Sequence, residues 1–262
     1  MADDDIRVET RDGWRKIVLN APARLNAVNK AMLGRLLAAL DAAEADPACR
    51  ALLLTGEGRG FCAGQELGPE VQPGPNGPPD LEELAGGNHH IVVKRLRASR
   101  LPVVCAVNGV AAGAGASFAL AGDIVVAAKT ARFVQAFVKI GLVPDSGASF
   151  FLTRTVGEAR ARALAMLGDA IDGETAAAWG MIWKAVDADK LVAESEAIVA
   201  QLAQGPTQSL GAMKRMFDAA TTNSLDAQLD LEAKLQGDAG RGAAYAEGLA
   251  AFLGKRPPVF PG

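Results

Sequence analysis

Aromatic residues make up only 5% of the 262 positions, and histidine occurs twice, at His89 and His90. Three cysteines, Cys49, Cys62 and Cys105, are odd in number and lack the spacing of metal ligands. Neither a zinc site nor a disulfide framework is expected from them, and the residue usage suits a reducing, cytoplasmic compartment. Positive charge is not in excess: the formal net charge is −3, so nucleic acid is not an expected partner. No stretch reaches the roughly 18 uninterrupted apolar residues of a membrane-crossing helix, and the acidic start, Met1–Asp5, is wrong for a secretory signal. Internal repeats are missing too. What is abundant is apolar material, half of the residues, against 22% charged. That balance supplies one large core, with or without an appended helical part, and excludes a disordered chain.

The first two thirds alternate strand and helix signals. Short apolar runs at Ile17–Asn20, Ala51–Thr55, Pro102–Val107 and Asp123–Ala128 predict buried strands. Between the first two, Met32, Leu33, Leu36, Leu37 and Leu40 recur at helical spacing behind Asn29, a residue suited to an N-cap. The small-residue stretch Gly113–Gly122 predicts a helix between the last two. Strands alternating with helices predict an α/β chain with crossover connections. Five prolines and three glycines between Gly68 and Asp80 leave only a surface loop or lid there. From Gly157 onward the pattern predicts helix throughout, broken at Gly168, Gly173, Gly205-Pro206 and Gly237. Leu225, Leu229 and Ala233, then Tyr245, Leu249 and Phe252, form helical stripes larger than a small core needs. The expected division is a core over 1–200 and a helical oligomerisation subdomain over 201–262.

Three segments can carry chemistry: Gly60-Phe61-Cys62-Ala63-Gly64-Gln65-Glu66-Leu67, Ala106–Ala116 (AVNGVAAGAGA), and Ile140-Gly141-Leu142-Val143-Pro144-Asp145-Ser146-Gly147. The second is a strand running into a helix of small residues, whose first N–H groups lack partners. No lysine follows its glycines as a phosphate loop requires, and the spacing is not that of a dinucleotide fingerprint. Two readings stay open: a seat for an oxyanion, or close packing of helix on sheet. Asp145 has two readings as well. It is a carboxylate able to move protons, or the N-cap of the helix that follows.

The first segment resembles the FCAGxDL motif, and the second the AVNGxAxGGG motif, of the crotonase (enoyl-CoA hydratase/isomerase) superfamily. Arg24-Leu25-Asn26-Ala27 resembles its N-terminal CoA-side motif. Together with the Phe252–Arg256 tail, the resemblance covers essentially the whole chain. It implies a ββα spiral core with a C-terminal helical subdomain, an acyl-CoA thioester as substrate and no separate cofactor, since coenzyme A is part of the substrate. It further implies an oxyanion hole from the N–H groups of Gln65 and Ala114, with CoA lined by Arg24, Leu25, Asn26, Ala27, Ala63, Gly64, Glu66 and Leu67. Lys255 resembles a tail residue that reaches the phosphates of CoA on a neighbouring subunit, in a homotrimer or a dimer of trimers.

Within the family, hydratases carry two glutamates where this chain has Ser117 and Phe137, so hydration is not expected. Certain isomerases have a carboxylate where this chain has Asp145, which the resemblance therefore makes the one catalytic acid/base, walled by Phe137 and Phe150. The Gln65-Glu66 pair, the proline-rich loop, Gly180–Trp183 and Asn223–Glu232 resemble the branch that rearranges a ring epoxide of phenylacetyl-CoA. The alternatives are a delta-3 to delta-2 enoyl-CoA isomerase and a non-catalytic acyl-CoA-binding protein. Ala148 departs from the glycine usual in that branch. His89 and His90 are expected at the surface or the pocket rim, Glu66 is expected to cap or pair rather than react, and Cys62 and Cys105 are expected to be buried thiols.

Overall fold

The computed structural model describes residues 5–68, 71–75 and 77–261. Its strands are β1 (Ile6–Arg11), β2 (Trp14–Leu19), β3 (Ala51–Gly56), β4 (Gly60–Cys62), β5 (Val103–Val107), β6 (Val110–Ala112), β7 (Ile124–Ala128), β8 (Arg132–Val134), β9 (Ala170–Asp172) and β10 (Lys184–Val186). They form one sheet in the order β1-β2-β3-β5-β7-β10 and a second in the order β4-β6-β8-β9. The β1–β2 and β8–β9 pairs are antiparallel and the other pairs parallel. From β3 to β8 successive strands switch sheets, so the chain advances in turns of strand, strand and helix. This is the spiral core the resemblance implies.

The helices are α1 (Lys30–Ala45), α2 (Leu81–Leu84), α3 (His90–Ala98), α4 (Ala114–Leu120), α5 (Ala148–Thr155), α6 (Gly157–Leu167), α7 (Gly173–Ala178), α8 (Leu191–Ala203), α9 (Thr207–Ala220), α10 (Leu225–Gly240) and α11 (Ala243–Leu253). Every residue of β5 is buried, as a parallel strand covered on both faces must be. α1 begins where the sequence places it: Asn29 Oδ1 accepts the Met32 N–H at 3.0 Å, and Met32, Leu33, Leu36 and Leu40 are buried. Each such side chain contributes about 1.5–3 kcal/mol by leaving water.

Three expectations need correction. The region after Gly157 is not helical throughout, because β9 and β10 interrupt it. Both strands are three residues long, too short for an alternating pattern to register. Gly237 does not break a helix but sits inside α10, where an isolated glycine is tolerated at a cost of about 1 kcal/mol. The 200/201 division falls inside α8; the break comes at Gly205-Pro206, just before α9. In the 68–80 segment, Pro69, Glu70 and Asn76 lie outside the described residues. The rest makes turns, a bridge between Gly74 and Gly77, and an Asp80 cap on α2.

α9 is tied to the core by a buried ion pair. Lys214 Nζ lies 2.8 Å from Asp123 Oδ2 and donates to the carbonyls of Leu96 and Leu101 at 3.2 and 2.9 Å. Burial pushes the Asp123 pKa up and the Lys214 pKa down, so loss of water outweighs their mutual attraction. Beyond this anchor, α9, α10 and α11 enclose an apolar groove of about 1290 Å³, lined by residues such as Phe217, Leu229, Tyr245 and Phe252. The apolar surplus expected of this region is therefore present.

Candidate active site

β4 runs parallel to β6, Gly60 against Val110 and Cys62 against Ala111 with a register shift between the two pairs, and the residues that leave both strands line one cavity. They make the floor of a cavity of about 280 Å³: Ala63, Gly64 and Gln65 from one strand, Gly113 and Ala114 from the other. One part of its wall is made by Leu67, Val71, Leu81, Leu84 and His89. A second part of the lining comes from 136–145 and carries Phe137, Lys139, Ile140, Leu142 and Asp145.

The floor is backbone pressed against backbone. Gly64 has φ +90°, and a Cβ there would stand 2.8 Å from the Ala112 carbonyl oxygen and 3.5 Å from the Ala114 nitrogen. A Cβ on Gly115 would stand 2.1 Å from the Cys62 carbonyl oxygen. Only glycine satisfies both places. Val28 pairs with this floor from behind, its N–H donating to Gly64 O and its carbonyl accepting from Glu66 N–H, both at 2.8 Å. That parallel bridge turns the Gln65 N–H toward the opposite side. Ala114 is the first residue of α4, so its N–H has no acceptor within the helix. The two groups that the resemblance assigns to an oxyanion hole thus border one cavity with Asp145.

Asp145 does not cap α5. Gly147 holds the N-cap position with φ +82°, and no side chain bonds to the helix start. Ser146, at φ +51°, and Gly147 both lie in the left-handed region, a sharp turn that lifts Asp145 onto the cavity wall. Its carbonyl accepts from Ala148 N–H at 2.9 Å and from Ser117 Oγ at 3.4 Å. Its carboxylate oxygen Oδ1 is buried and has no hydrogen-bond partner among the described residues. A buried carboxylate oxygen without a partner is costly, and such sites are where ligands and protons are handled. The Phe137 ring lies over the floor, 3.6 Å from where a Gly113 Cβ would be.

Several other assignments sort themselves by position. Ala63, Gly64 and Leu67 line the cavity; Arg24, Leu25, Asn26, Ala27 and Glu66 do not. Asn26 is buried and occupied with backbone: its Oδ1 accepts from Ala21 N–H at 2.8 Å and its Nδ2 donates to Gly60 O at 2.7 Å. Glu66 pairs, as expected, accepting from Asn29 Nδ2 at 2.8 Å with Arg24 Nε at 3.6 Å. Lys255 is exposed past the end of α11, away from this cavity. Phe150 is a correction: it is 43% exposed under the Arg154 guanidinium, because α5 buries Ala148, Phe151 and Leu152 and leaves Phe150 on its solvent side. Burial pushes the Cys62 and Cys105 thiols up to about 12, in keeping with packing roles. His89 was undervalued. It is buried and lines the cavity, while His90 is only half-buried and lies off it.

Comparison with known proteins agrees with this geometry. The family model described as "Enoyl-CoA hydratase/isomerase" matches residues 9–262. The chain is 49% identical over 251 residues to the 1,2-epoxyphenylacetyl-CoA isomerase of Escherichia coli (strain K12), covering 95% of each chain. It is 45% identical over 262 residues, the full length of both, to a Rhodobacter capsulatus protein named "Probable enoyl-CoA hydratase". The crystal structure of an enoyl-CoA hydratase from Polaromonas sp. JS666 superimposes with a TM-score of 0.92 at 33% identity, over 98% of this chain and 99% of that one.

Proposed function

Because the chain belongs to the enoyl-CoA hydratase/isomerase family, we propose that it is an acyl-CoA isomerase that moves one proton with Asp145, acting on 2-(1,2-epoxy-1,2-dihydrophenyl)acetyl-CoA. The observation that carries the reading is the buried Asp145 Oδ1, without a partner among the described residues, in one cavity with Gln65 and Ala114. Asp145 takes the C2 proton beside the thioester. The N–H groups of Gln65 and Ala114 hold the enolate oxygen, each contributing roughly 3 to 4 kcal/mol to the transition state. The carbon–carbon bond shared by the epoxide and the six-membered ring breaks, which leaves the oxygen inside a seven-membered ring, and the same carboxyl returns the proton to a carbon of that ring as the double bond conjugated with the thioester forms. A cavity of about 280 Å³ suits an acyl group and leaves the nucleotide outside. There the half-buried Arg24 and Leu25 flank it, held in place by the buried Asn26 and Ala27, and Lys255 reaches the CoA of a neighbouring copy in a trimer or a dimer of trimers.

The hydratase name of the Rhodobacter relative favours a second reading, addition of water. Against it stand Ser117 and Phe137, neither of which can activate water as a carboxylate pair does. Asp145→Asn separates the readings. Isomerisation should fall by about a hundred- to ten-thousand-fold while acyl-CoA affinity changes little. The parent should hydrate crotonyl-CoA negligibly and should prefer the ring epoxide to an aliphatic delta-3-enoyl-CoA in direct competition. Turnover of the variant within a few-fold of the parent would overturn the role of Asp145. Hydration as fast as isomerisation would restore the second reading.

A further inference from the structure

Ser117 stands apart from the rest of α4. Every residue of that helix is buried, and the others, Ala114, Gly115, Ala116, Phe118, Ala119 and Leu120, have no polar side chain. Ser117 itself is 0% exposed. An alanine there would fill nearly the same space, favour the helix and bury no hydroxyl. Among the described residues the hydroxyl has one partner: Oγ donates to the Asp145 carbonyl at 3.4 Å. That is longer than the roughly 2.8 Å of a strong O–H···O bond, as is common around a catalytic group before substrate draws the site together.

The contact joins the two halves of the proposed chemistry. Ser117 follows Ala114 by one helical turn, so its hydroxyl and the oxyanion-hole N–H belong to one rigid element. At its other end, Asp145 sits in a stretch with little else to fix it. Among the described residues its carbonyl is the one group of the Val143–Ser146 backbone with a hydrogen bond, shared between Ala148 N–H and Ser117. Two left-handed residues follow, and α5 then starts without a side-chain cap. We infer that Ser117 is a positioning residue: its hydroxyl holds the Asp145 turn at a set distance from the Ala114 N–H, so that the carboxyl meets C2 while the thioester oxygen occupies the oxyanion hole. Ser117 does not line the cavity, so it acts through Asp145 and not on the substrate. The inference rests on the acyl-CoA reading with Asp145 as the proton carrier. Moving a reacting group by about 1 Å can cost about a hundredfold in rate, so even a weak tether has a measurable effect.

Exchange of the C2 protons of phenylacetyl-CoA with D2O isolates the step, since it asks for removal and return of a proton and needs no epoxide. Exchange is followed by mass spectrometry on the parent, Ser117→Ala, Asp145→Asn and the double variant, with phenylacetyl-CoA affinity from calorimetry. Ser117→Ala should exchange about tenfold more slowly while its Kd stays within about twofold. In the Asp145→Asn background the same change should cost less than about twofold, because the group it positions can no longer take a proton. Ser117→Cys fills the site but donates weakly, so it should be nearly as slow as Ser117→Ala. Exchange by Ser117→Ala within twofold of the parent overturns the inference. So does an undiminished loss in the Asp145→Asn background, which would mean that the hydroxyl supports the oxyanion hole or the fold instead. A parent that exchanges C2 protons yet leaves the ring epoxide unchanged sinks the isomerase reading alone. A parent that exchanges nothing removes Asp145 as the proton carrier, and this inference with it.

Discussion

The floor of the cavity and the wall that carries Leu67, Leu81 and Leu84 are built to different tolerances. On the floor, a methyl group added to Gly64 or Gly115 would meet a carbonyl oxygen at 2.8 or 2.1 Å. On the wall, Gly86 and Gly87 have nothing within 4 Å of an added methyl, and α2 buries none of its residues. In the proposed reaction the floor acts through main-chain N–H groups, which any substitution short of proline displaces rather than removes. The wall acts through side chains, which can be exchanged one at a time. Chemistry common to a family fits the first construction, and choice of acyl group fits the second.

The sharpest break of that contrast is Gly64→Ala. The left-handed backbone at φ +90° resists a Cβ by about 1 to 3 kcal/mol, and the displaced Gln65 N–H removes roughly 3 kcal/mol of oxyanion stabilisation. The expected result is a fall in kcat/KM of about a hundred- to a thousand-fold, carried by kcat, in a protein that still melts cooperatively. Activity within fivefold of the parent would mean that the floor is as forgiving as the wall.

On the wall, Leu84→Ala should act on KM. Removing part of an apolar side chain from a pocket weakens binding by about 1 to 3 kcal/mol, so KM should rise about tenfold with kcat within threefold. The Leu84 carbonyl stays in place in this variant, so the His89 contact survives. Steady-state kinetics on one thioester settles it: a drop in kcat as large as that of the floor variant would erase the distinction.

How far the sequence reaches follows the same line. The long buried strands and α1 were legible because apolar runs and spacing report burial directly, and β2, β3, β5 and β7 lie within a few residues of their expected bounds. The floor was legible as motif, since glycine and alanine at fixed offsets reflect a packing demand that tolerates nothing larger. The second sheet was not: β4, β6, β8 and β9 are three residues each, and their pairing rather than their composition makes them strands. Asp145 stood between cap and proton carrier; Gly147 at the cap position removes the first reading, and an Oδ1 with no partner among the described residues supports the second. The burial of His89 depends on Phe118, twenty-nine positions away in sequence, and no local pattern encodes that meeting.

The smallest expected effect tests how the floor is held from behind. Asn29 does two things at once: its Oδ1 caps α1 through Met32 N–H, and its Nδ2 donates to Glu66, the residue after Gln65. Asn29→Ala loses both. The cap is worth about 1 kcal/mol, which should lower the melting temperature by roughly 2 to 4 °C in a chain of this size. Loss of the Glu66 bond should loosen the Gln65 N–H slightly, for a two- to fivefold fall in kcat/KM. Asn29→Ser divides the two roles, because serine caps well but is too short to reach Glu66. It should recover the melting temperature while keeping the modest kinetic loss. If Asn29→Ser instead restores activity along with stability, the bond to Glu66 contributes nothing to the floor, and Val28 alone positions Gln65 through its bridge.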